Sequence, residues 1–273
     1  MSRILLVNDD GIKSIGLLTL KKELENIGEI LVVAPRNKMS GAGKSLTFHN
    51  IIRVEKTVLS DGSKGYSIDG TPADAVMIGL YKLSKKPPDL LVSGINLGHN
   101  MNIDDIFSSG TLGAAFEGAI HNIPSLAVSC FVHEVPSLES DGRVALEELK
   151  MSAKIARKAS DYILKNGMPE DVDVISINVP ENADDTKIKI TNISYLGYSD
   201  IYLEHKDGYI VKCNGGRFRD EDSETDVYTI NNERVISITP ITLRFPHKRE
   251  RMKELREFLI SSLKQGESTL QPS

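Results

Sequence analysis

Arg3-Ile4-Leu5-Leu6-Val7-Asn8-Asp9-Asp10-Gly11 is the stretch whose reading decides the fold. A short apolar run of this kind reads as a strand buried on both faces, as in a parallel sheet. Two adjacent carboxylates stand where that strand ends, and a glycine lets the chain turn. In open α/β sheets the carboxyl ends of the strands are where ligands bind. Two like charges about 4 Å apart repel by roughly 4 kcal/mol at an effective dielectric near 20. A hard divalent cation held by oxygen ligands is the simplest compensation. The bland alternative is a turn with a helix-capping aspartate.

Outward from that stretch, strand and helix signals alternate. The first strand covers residues 3–8. Leu17, Leu18, Leu20 and Leu24 recur at helical spacing towards Gly28. Residues 29–34 read as a second strand, followed by a polar loop over 36–45. Residues 47–69, with an Asp61-Gly62 turn, read as a hairpin-like excursion. Thr71-Pro72 opens a helix to about Leu83, with Thr71 as N-cap and Pro72 in the first position. Strands over 89–93 and 125–130 flank a small-residue helix at about 112–121. The second half is less regular, with an amphipathic helix at about 140–166 and strands at 172–178, 187–194 and 234–239. An exposed excursion covers 195–225, and a charged helix covers about 247–264. The pattern predicts an α/β fold with a doubly wound, mostly parallel, Rossmann-like sheet, and the change of texture after about residue 130 adds the expectation of an appended C-terminal α/β subdomain. The expected organisation is one domain over 1–273. Its core comprises about 1–130 with parts of 140–195 and 234–240, and a C-terminal excursion and tail cover about 195–273.

Bulk properties narrow the function classes. A chain of 273 residues makes one large domain or two small ones and buries roughly 70–75% of its unfolded surface. The formal net charge is −5 with no basic tract, and tryptophan is absent, so stable nucleic-acid binding is not expected. Two cysteines, Cys130 and Cys213, form no disulfide framework and read as buried thiols. The start does not read as a signal peptide, and no apolar stretch is long enough to span a membrane. The expected location is the cytoplasm.

Three further segments fall on the same sheet edge as Asp9 and Asp10. Asn96 ends another buried strand, and its amide oxygen suits a hard cation without adding charge; the alternative is a residue bonding its own loop. The loop Ser40-Gly41-Ala42-Gly43-Lys44-Ser45 offers backbone N–H groups to an anion, or is a surface loop with a solvated Lys44. It lacks the Walker A spacing. Ser109-Gly110-Thr111 opens a helix, and a helix N-terminus is a ready phosphate site; ordinary capping explains the same residues. The six histidines show no metal-ligand spacing. His99, between Asn96 and Asn100, either protonates a leaving group or is a solvated loop side chain.

These segments together resemble the SurE family, the survival-protein metal-dependent nucleotidases. The resemblance rests on Ile4 to Ile12, Val33-Ala34-Pro35, Ser40-Gly41 with Ser45, and Asp69-Gly70-Thr71-Pro72-Ala73-Asp74. It continues through Pro88-Asp89, Ser93-Gly94-Ile95-Asn96 with Gly98 and Asn100, and Ser109 to Ala115 with Glu117-Gly118. Pro124-Ser125, Ala127-Val128-Ser129 and Thr239-Pro240 complete it. The resemblance implies a phosphatase acting on nucleoside 5′- and 3′-monophosphates with one divalent cation per subunit, Mg²⁺ or Mn²⁺, with Ca²⁺ also compatible. It implies Asp9, Asp10, Ser40 and Asn96 as metal ligands; a metal-assisted hydrolysis at that site is expected to use Asp9 or Asp10 to orient or deprotonate the attacking water. Asn8, Gly41, Ser45, Asn100, Ser109, Gly110 and Thr111 would line the phosphate pocket. It further implies a homodimer or homotetramer built through C-terminal elements.

The chain departs from the family at several points. Met39 replaces a common glutamine and Ser108 a common tyrosine. The loop from Asn100 to Ser109 is a residue longer, and Arg244 stands near a position that is usually acidic. Other phosphomonoesters and polyphosphate are alternative substrates. Two rival readings are a phospho-acceptor receiver domain and a dinucleotide-binding oxidoreductase. A receiver is about half this length and needs a lysine after its last strand, and none is suitably placed here. The oxidoreductase would need Gly-x-Gly-x-x-Gly after the first strand, which is missing.

Overall fold

The computed structural model describes residues 1–131, 143–184, 186–211, 220–245 and 249–267. Met1–Thr242 form one compact unit and Leu243–Ser273 a second, small one. The first unit begins with β1 (Ser2–Val7), α1 (Ile15–Leu24) and β2 (Gly28–Pro35), then a hairpin of β3 (Val54–Val58) and β4 (Lys64–Ile68). Next come α2 (Pro72–Ile78), which runs on as a wider turn over Gly79–Leu83, and β5 (Leu90–Leu97). Helices α3 (Asn102–Ser108) and α4 (Gly110–Ile120) follow, then β6 (Ser125–Cys130), α5 (Arg143–Asn166) and β7 (Val174–Val179). The remainder comprises β8 (Ile188–Ile190), β9 (Tyr202–His205), β10 (Gly208–Val211), α6 (Asp226–Tyr228) and β11 (Ile236–Ile241). The second unit carries a 3₁₀ turn, Arg249–Met252, and α7 (Lys253–Glu267).

Nine strands make one sheet in the order β3-β4-β2-β1-β5-β6-β7-β11-β8. Strands β4, β2, β1, β5, β6 and β7 are mutually parallel. In chain order these six stand 3-2-1-4-5-6, the doubly wound Rossmann arrangement, so the expected fold class forms. Its strand order reverses between β1 and β5, the crevice where ligands bind in such sheets. Strand β11 runs antiparallel to β7, and β8 parallel to β11.

Burial explains the central strands. Ile4, Leu5, Leu6 and Val7 of β1 and Leu90, Leu91 and Val92 of β5 are fully buried, as expected for strands covered on both faces. Helix α1 packs with α5 and α2 with α4, each pair covering one face. Helix α2 starts on a complete capping box: Thr71 accepts from the Asp74 N–H, and Asp74 accepts from the Thr71 N–H at 2.8 Å. Helix α4 lies unusually close to its neighbours. A Cβ at Gly118 would come within 2.6 Å of Ser125 Oγ, and one at Gly113 within 2.1 Å of the Gly43 carbonyl oxygen.

Several expectations change. The excursion at 47–69 is part of the main sheet, because β4 pairs in parallel with β2. The strand expected at 187–194 shrinks to three residues, with Asn192 making only an isolated bridge to Thr225. Helix α3 stands where only a loop was expected. Its first turn is held by Asn102, whose Oδ1 accepts from the N–H groups of Asp104 and Asp105 at 2.8 and 3.0 Å. Within the excursion at 195–225, β9 and β10 form an antiparallel hairpin. Cys130 is buried, while Cys213, His133 and His247 lie outside the described residues.

Candidate metal and phosphate site

The β1 strand delivers Asp9 and Asp10 to the β1–β5 crevice. Asn8 shapes the turn: its Oδ1 accepts from the Gly11 N–H at 3.2 Å and its Nδ2 donates to the Gly11 carbonyl at 3.1 Å. Its amide is therefore engaged in closing the turn. Gly11 takes φ +97°, a conformation that favours glycine.

Asp9 is 5% exposed, and its Oδ1 accepts from Thr111 Oγ1 at 2.5 Å. Burial pushes its carboxyl up to about 6; the Thr111 hydrogen bond opposes the rise and the Asp10 charge adds to it. Asp10 is differently placed. Its Oδ1 is 2.7 Å from Lys38 Nζ, and its Oδ2 accepts from the Leu97 N–H of β5 at 3.2 Å. The pair thus bridges β1, β5 and the loop after β2.

That loop is tied down at both ends. The Met39 N–H donates to the Asp9 carbonyl at 2.8 Å, and the Gly43 N–H to the Ser108 carbonyl at 2.8 Å. Ser40, Gly41 and Ser45 are exposed, and Ser40 directly follows the residue bonded to Asp9. The Ser45 carbonyl accepts from the Thr71 hydroxyl at 2.6 Å, which fixes the loop's far end on the cap of α2. Lys44 is not simply solvated: its ammonium lies against Glu117 Oε2, a carboxylate buried in α4.

Helix α4 supplies the opposite wall. Ser109 caps it, its Oγ accepting from the Leu112 N–H at 3.1 Å, so the capping role is realised. The N–H groups of Gly110 and Thr111 lie in the first turn, where no intrahelical acceptor exists. Gly110 packs on Asp9: a Cβ there would come within 2.7 Å of the Asp9 Cβ. The helix start and the first carboxylate are therefore in direct contact.

On β5 the register with β6 shifts between Ser93 and Asn96, where the Gly94–Ile95 peptide is cis. Asn96 Nδ2 donates to the Gly98 carbonyl at 3.1 Å, so the nitrogen is engaged in the loop and the oxygen is the group suited to a ligand role. Asn100 lies deeper. Its Nδ2 donates to Ser129 Oγ at 2.8 Å, its N–H to Asn178 Oδ1 at 2.9 Å, and its carbonyl accepts from Asn178 Nδ2 at 3.1 Å.

His99 is not a freely solvated side chain. Its Nδ1 lies 3.2 Å from Asp105 Oδ2, and its ring stacks on Phe131 with centroids 5.4 Å apart and planes 15° apart. Asp105 also accepts from the Met101 N–H at 2.9 Å and from the Tyr198 hydroxyl. Behind it, Asp226 accepts from the N–H groups of Val227, Ser194 and Asn102. Burial pushes the Asp226 carboxyl up to about 6, against those hydrogen bonds.

A cation fits this donor set. Two carboxylates, one of them deeply buried, meet where Lys38 is the cationic side chain in contact, with an amide oxygen on β5 and a hydroxyl on the loop after β2. Among the described residues no three His, Cys, Asp or Glu side chains cluster at metal-binding range. A mixed carboxylate, hydroxyl and amide set is the hard-oxygen chemistry of Mg²⁺, Mn²⁺ or Ca²⁺ rather than of zinc.

Sequence reasoning missed Lys38, Ser129, Asn178, Asp105 and Asp226. Ser129 and Asn178 carry the signal that drew attention to Asn96, a polar residue near the carboxyl end of a buried strand. Lys38 carries none, because its partner depends on how the loop crosses Asp9.

The family model described as survival protein SurE matches residues 4–200. A 5′-nucleotidase SurE of Methanococcus maripaludis is 41% identical over 254 residues, covering 88% of this chain and 92% of that protein. One from Methanothermobacter thermautotrophicus is 40% identical over 197 residues, covering 72% and 75%. The crystal structure of the SurE protein from Aquifex aeolicus superposes with a TM-score of 0.71 at 30% identity, covering 94% of this chain and 99% of that one. On the extent of the family match and on these identities, the chain belongs to the SurE family.

Proposed function

We propose that this chain is a divalent-metal-dependent nucleotidase that hydrolyses nucleoside 5′-monophosphates, and 3′-monophosphates as well, to nucleoside and phosphate. The observation that carries the reading is the contact of Asp9 with the first turn of α4, which sets a carboxylate pair beside a phosphate-suited helix start. The names of the relatives, 5′-nucleotidase SurE, agree with it. Asp9, Asp10, Ser40 and Asn96 would hold the cation. When bound, that cation supplies Lewis-acid polarisation of the phosphoryl group.

The chain's own residues do the rest. The Thr111 hydroxyl holds Asp9 in position, and the Leu97 N–H holds Asp10. The N–H groups of Gly110 and Thr111 bind the phosphoryl oxygens and meet the charge that develops on them. Asp9 or Asp10 orients the attacking water and takes its proton; direct attack by Asp9 is the less favoured variant. Ser40 and Gly41 stand at the open rim of the pocket, and Ser45 and Asn100 fix its walls.

The exposed Tyr202, Leu203, Tyr209 and Ile210 of the β9–β10 hairpin support assembly into a homodimer or homotetramer through C-terminal elements. The exposed Leu255, Phe258 and Leu259 of α7 support it too. Among the described residues no helix is long and apolar enough to cross a membrane, and the proposed location is the cytoplasm.

The test is phosphate release from a panel of 5′- and 3′-nucleotides, other phosphomonoesters and polyphosphate. Each is assayed with Mg²⁺, Mn²⁺ or Ca²⁺ and with chelator. Turnover of nucleotides that chelator abolishes and Asp9→Asn removes is expected. Full activity of Asp9→Asn with metal present would defeat the reading.

A further inference from the structure

Resting on the phosphatase reading, we propose that His99 is the proton donor to the leaving oxygen of the nucleotide, with Asp105 as its positioning residue. Three observations converge on it. First, the imidazole is held from two sides, by Asp105 Oδ2 at 3.2 Å from Nδ1 and by the Phe131 ring stacked on its face. Second, an ionised carboxylate only accepts hydrogen bonds, so Nδ1 carries the hydrogen of that contact. Nε2 is then the nitrogen left for chemistry, and among the described residues nothing is bonded to it. Third, the loop bearing His99 is held on both sides, on one of them by Asp10 of the candidate site. Leu97, two residues before it, donates to Asp10, and Asn100, the next residue, is bonded to Ser129 and Asn178.

Asp105 is itself over-determined. It accepts from the Met101 N–H and the Tyr198 hydroxyl besides His99, and its own N–H is capped by Asn102. The Asn102 N–H donates in turn to the buried Asp226. A nucleophile, a base and an orienting group commonly form such a chain in hydrolases; here the chain ends on a proton donor instead.

The chemistry requires such a donor. Water forms the new P–O bond and gives up a proton to a site carboxylate. The bond between phosphorus and the ribose oxygen breaks, and its electron pair stays on that oxygen. An alkoxide is a poor leaving group, so the oxygen takes the Nε2 proton as the bond breaks and departs as the alcohol. His99 regains a proton from solvent, and the carboxylate releases the one it took. The net change is nucleotide plus water to nucleoside plus phosphate.

The test compares substrates that differ in their need for the proton. Without an acid the leaving group of a nucleoside 5′-monophosphate would be an alkoxide, whereas that of p-nitrophenyl phosphate is a stable phenolate that needs no acid. A positioned general acid contributes about 10²–10⁴-fold. In His99→Gln and His99→Asn the ratio of nucleotide to p-nitrophenyl phosphate turnover is expected to fall by about 100-fold or more. Asp105→Asn should lower the same ratio by a smaller factor. An unchanged ratio in both His99 variants overturns the proposal and leaves the phosphatase reading standing. Wild-type protein inert towards both substrates with every metal overturns both. Turnover of p-nitrophenyl phosphate by each variant also certifies that it is folded.

Discussion

Lys38→Met should tighten divalent-cation binding by roughly tenfold. Lys38 Nζ lies 2.7 Å from Asp10 Oδ1, and the lysine side chain is 53% exposed. A cation that takes Asp10 must displace this ammonium or approach beside it. At 2.7 Å two unit charges interact by about 6 kcal/mol at an effective dielectric of 20 and by about 1.5 kcal/mol in water. The exposure of Lys38 favours the lower figure, because solvent screens the pair. About 1.5 kcal/mol corresponds to roughly a factor of ten in Kd. Calorimetric titration of Mn²⁺ into wild type, Lys38→Met and a remote control, Lys187→Met, reads the effect directly. The gain should shrink as salt is raised, since screening weakens exposed pairs first. Unchanged or weaker binding by Lys38→Met would refute the reasoning, as would an equal gain in the control; either result would remove Asp10 from the ligand set.

The remaining predictions concern the walls and supports of the site. Thr111→Val removes the donor that favours ionised Asp9, so the acid limb of the kcat/KM profile should move to higher pH; a limb that stays in place counts against Asp9 as the titrating group. Leaving that buried acceptor unpaired should also cost about 1–3 kcal/mol of stability. Asp226→Asn tests linkage: the folded carboxyl is pushed up to about 6 from 3.8, so wild type holds that proton more tightly when folded. Its penalty is absent below 3.8, grows between 3.8 and about 6, and reaches about 3 kcal/mol above that. Urea melts should therefore show the variant gaining on wild type as pH rises from 4 to 7, and parallel curves would contradict the burial argument. Gly113→Ala drives a Cβ into the Gly43 carbonyl at 2.1 Å. It should cost about 1–3 kcal/mol and weaken metal binding by shifting Ser40; a melt and a Mn²⁺ titration equal to wild type would exclude that packing role.

The parts of the fold that were legible in the sequence are those whose signal is local. Ile4 to Val7 and Leu90 to Val92 are apolar without alternation because both faces of the sheet are covered, and Thr71-Pro72 with Asp74 carries its own helix start. The direction of β11 has no such signature: Ile236 to Ile241 would look the same in a parallel strand. Helix α3 was invisible because seven residues, three of them Asn or Asp, show no apolar stripe. It stands because Asp226, far along the chain, receives the Asn102 N–H. The site divides the same way. Asp9, Asp10 and Asn96 announce themselves at strand ends, and Gly110 and Thr111 at a helix start. The resemblance implies Asn8 and Ser109 as pocket residues, and their side chains also bond the turn at Gly11 and the start of α4. The partners of Asp10 and His99 come from the crossing of the loop after β2 and from the turn into α3, which only the assembled chain defines.

Helix α4 reaches its neighbours through Gly110, Gly113 and Gly118, and this closeness has an energetic consequence. Gly113 and Gly118 each cost roughly 1 kcal/mol of helix propensity relative to alanine, in a helix of eleven residues that would be marginal alone. The helix therefore has no stable existence before the strands and loop it leans on are in place. Its first turn, which faces Asp9, is ordered only when β1, β5, β6 and the Gly43 loop have met. The shape of the pocket at Asp9 is thus set by tertiary packing and not by the helix's own propensity.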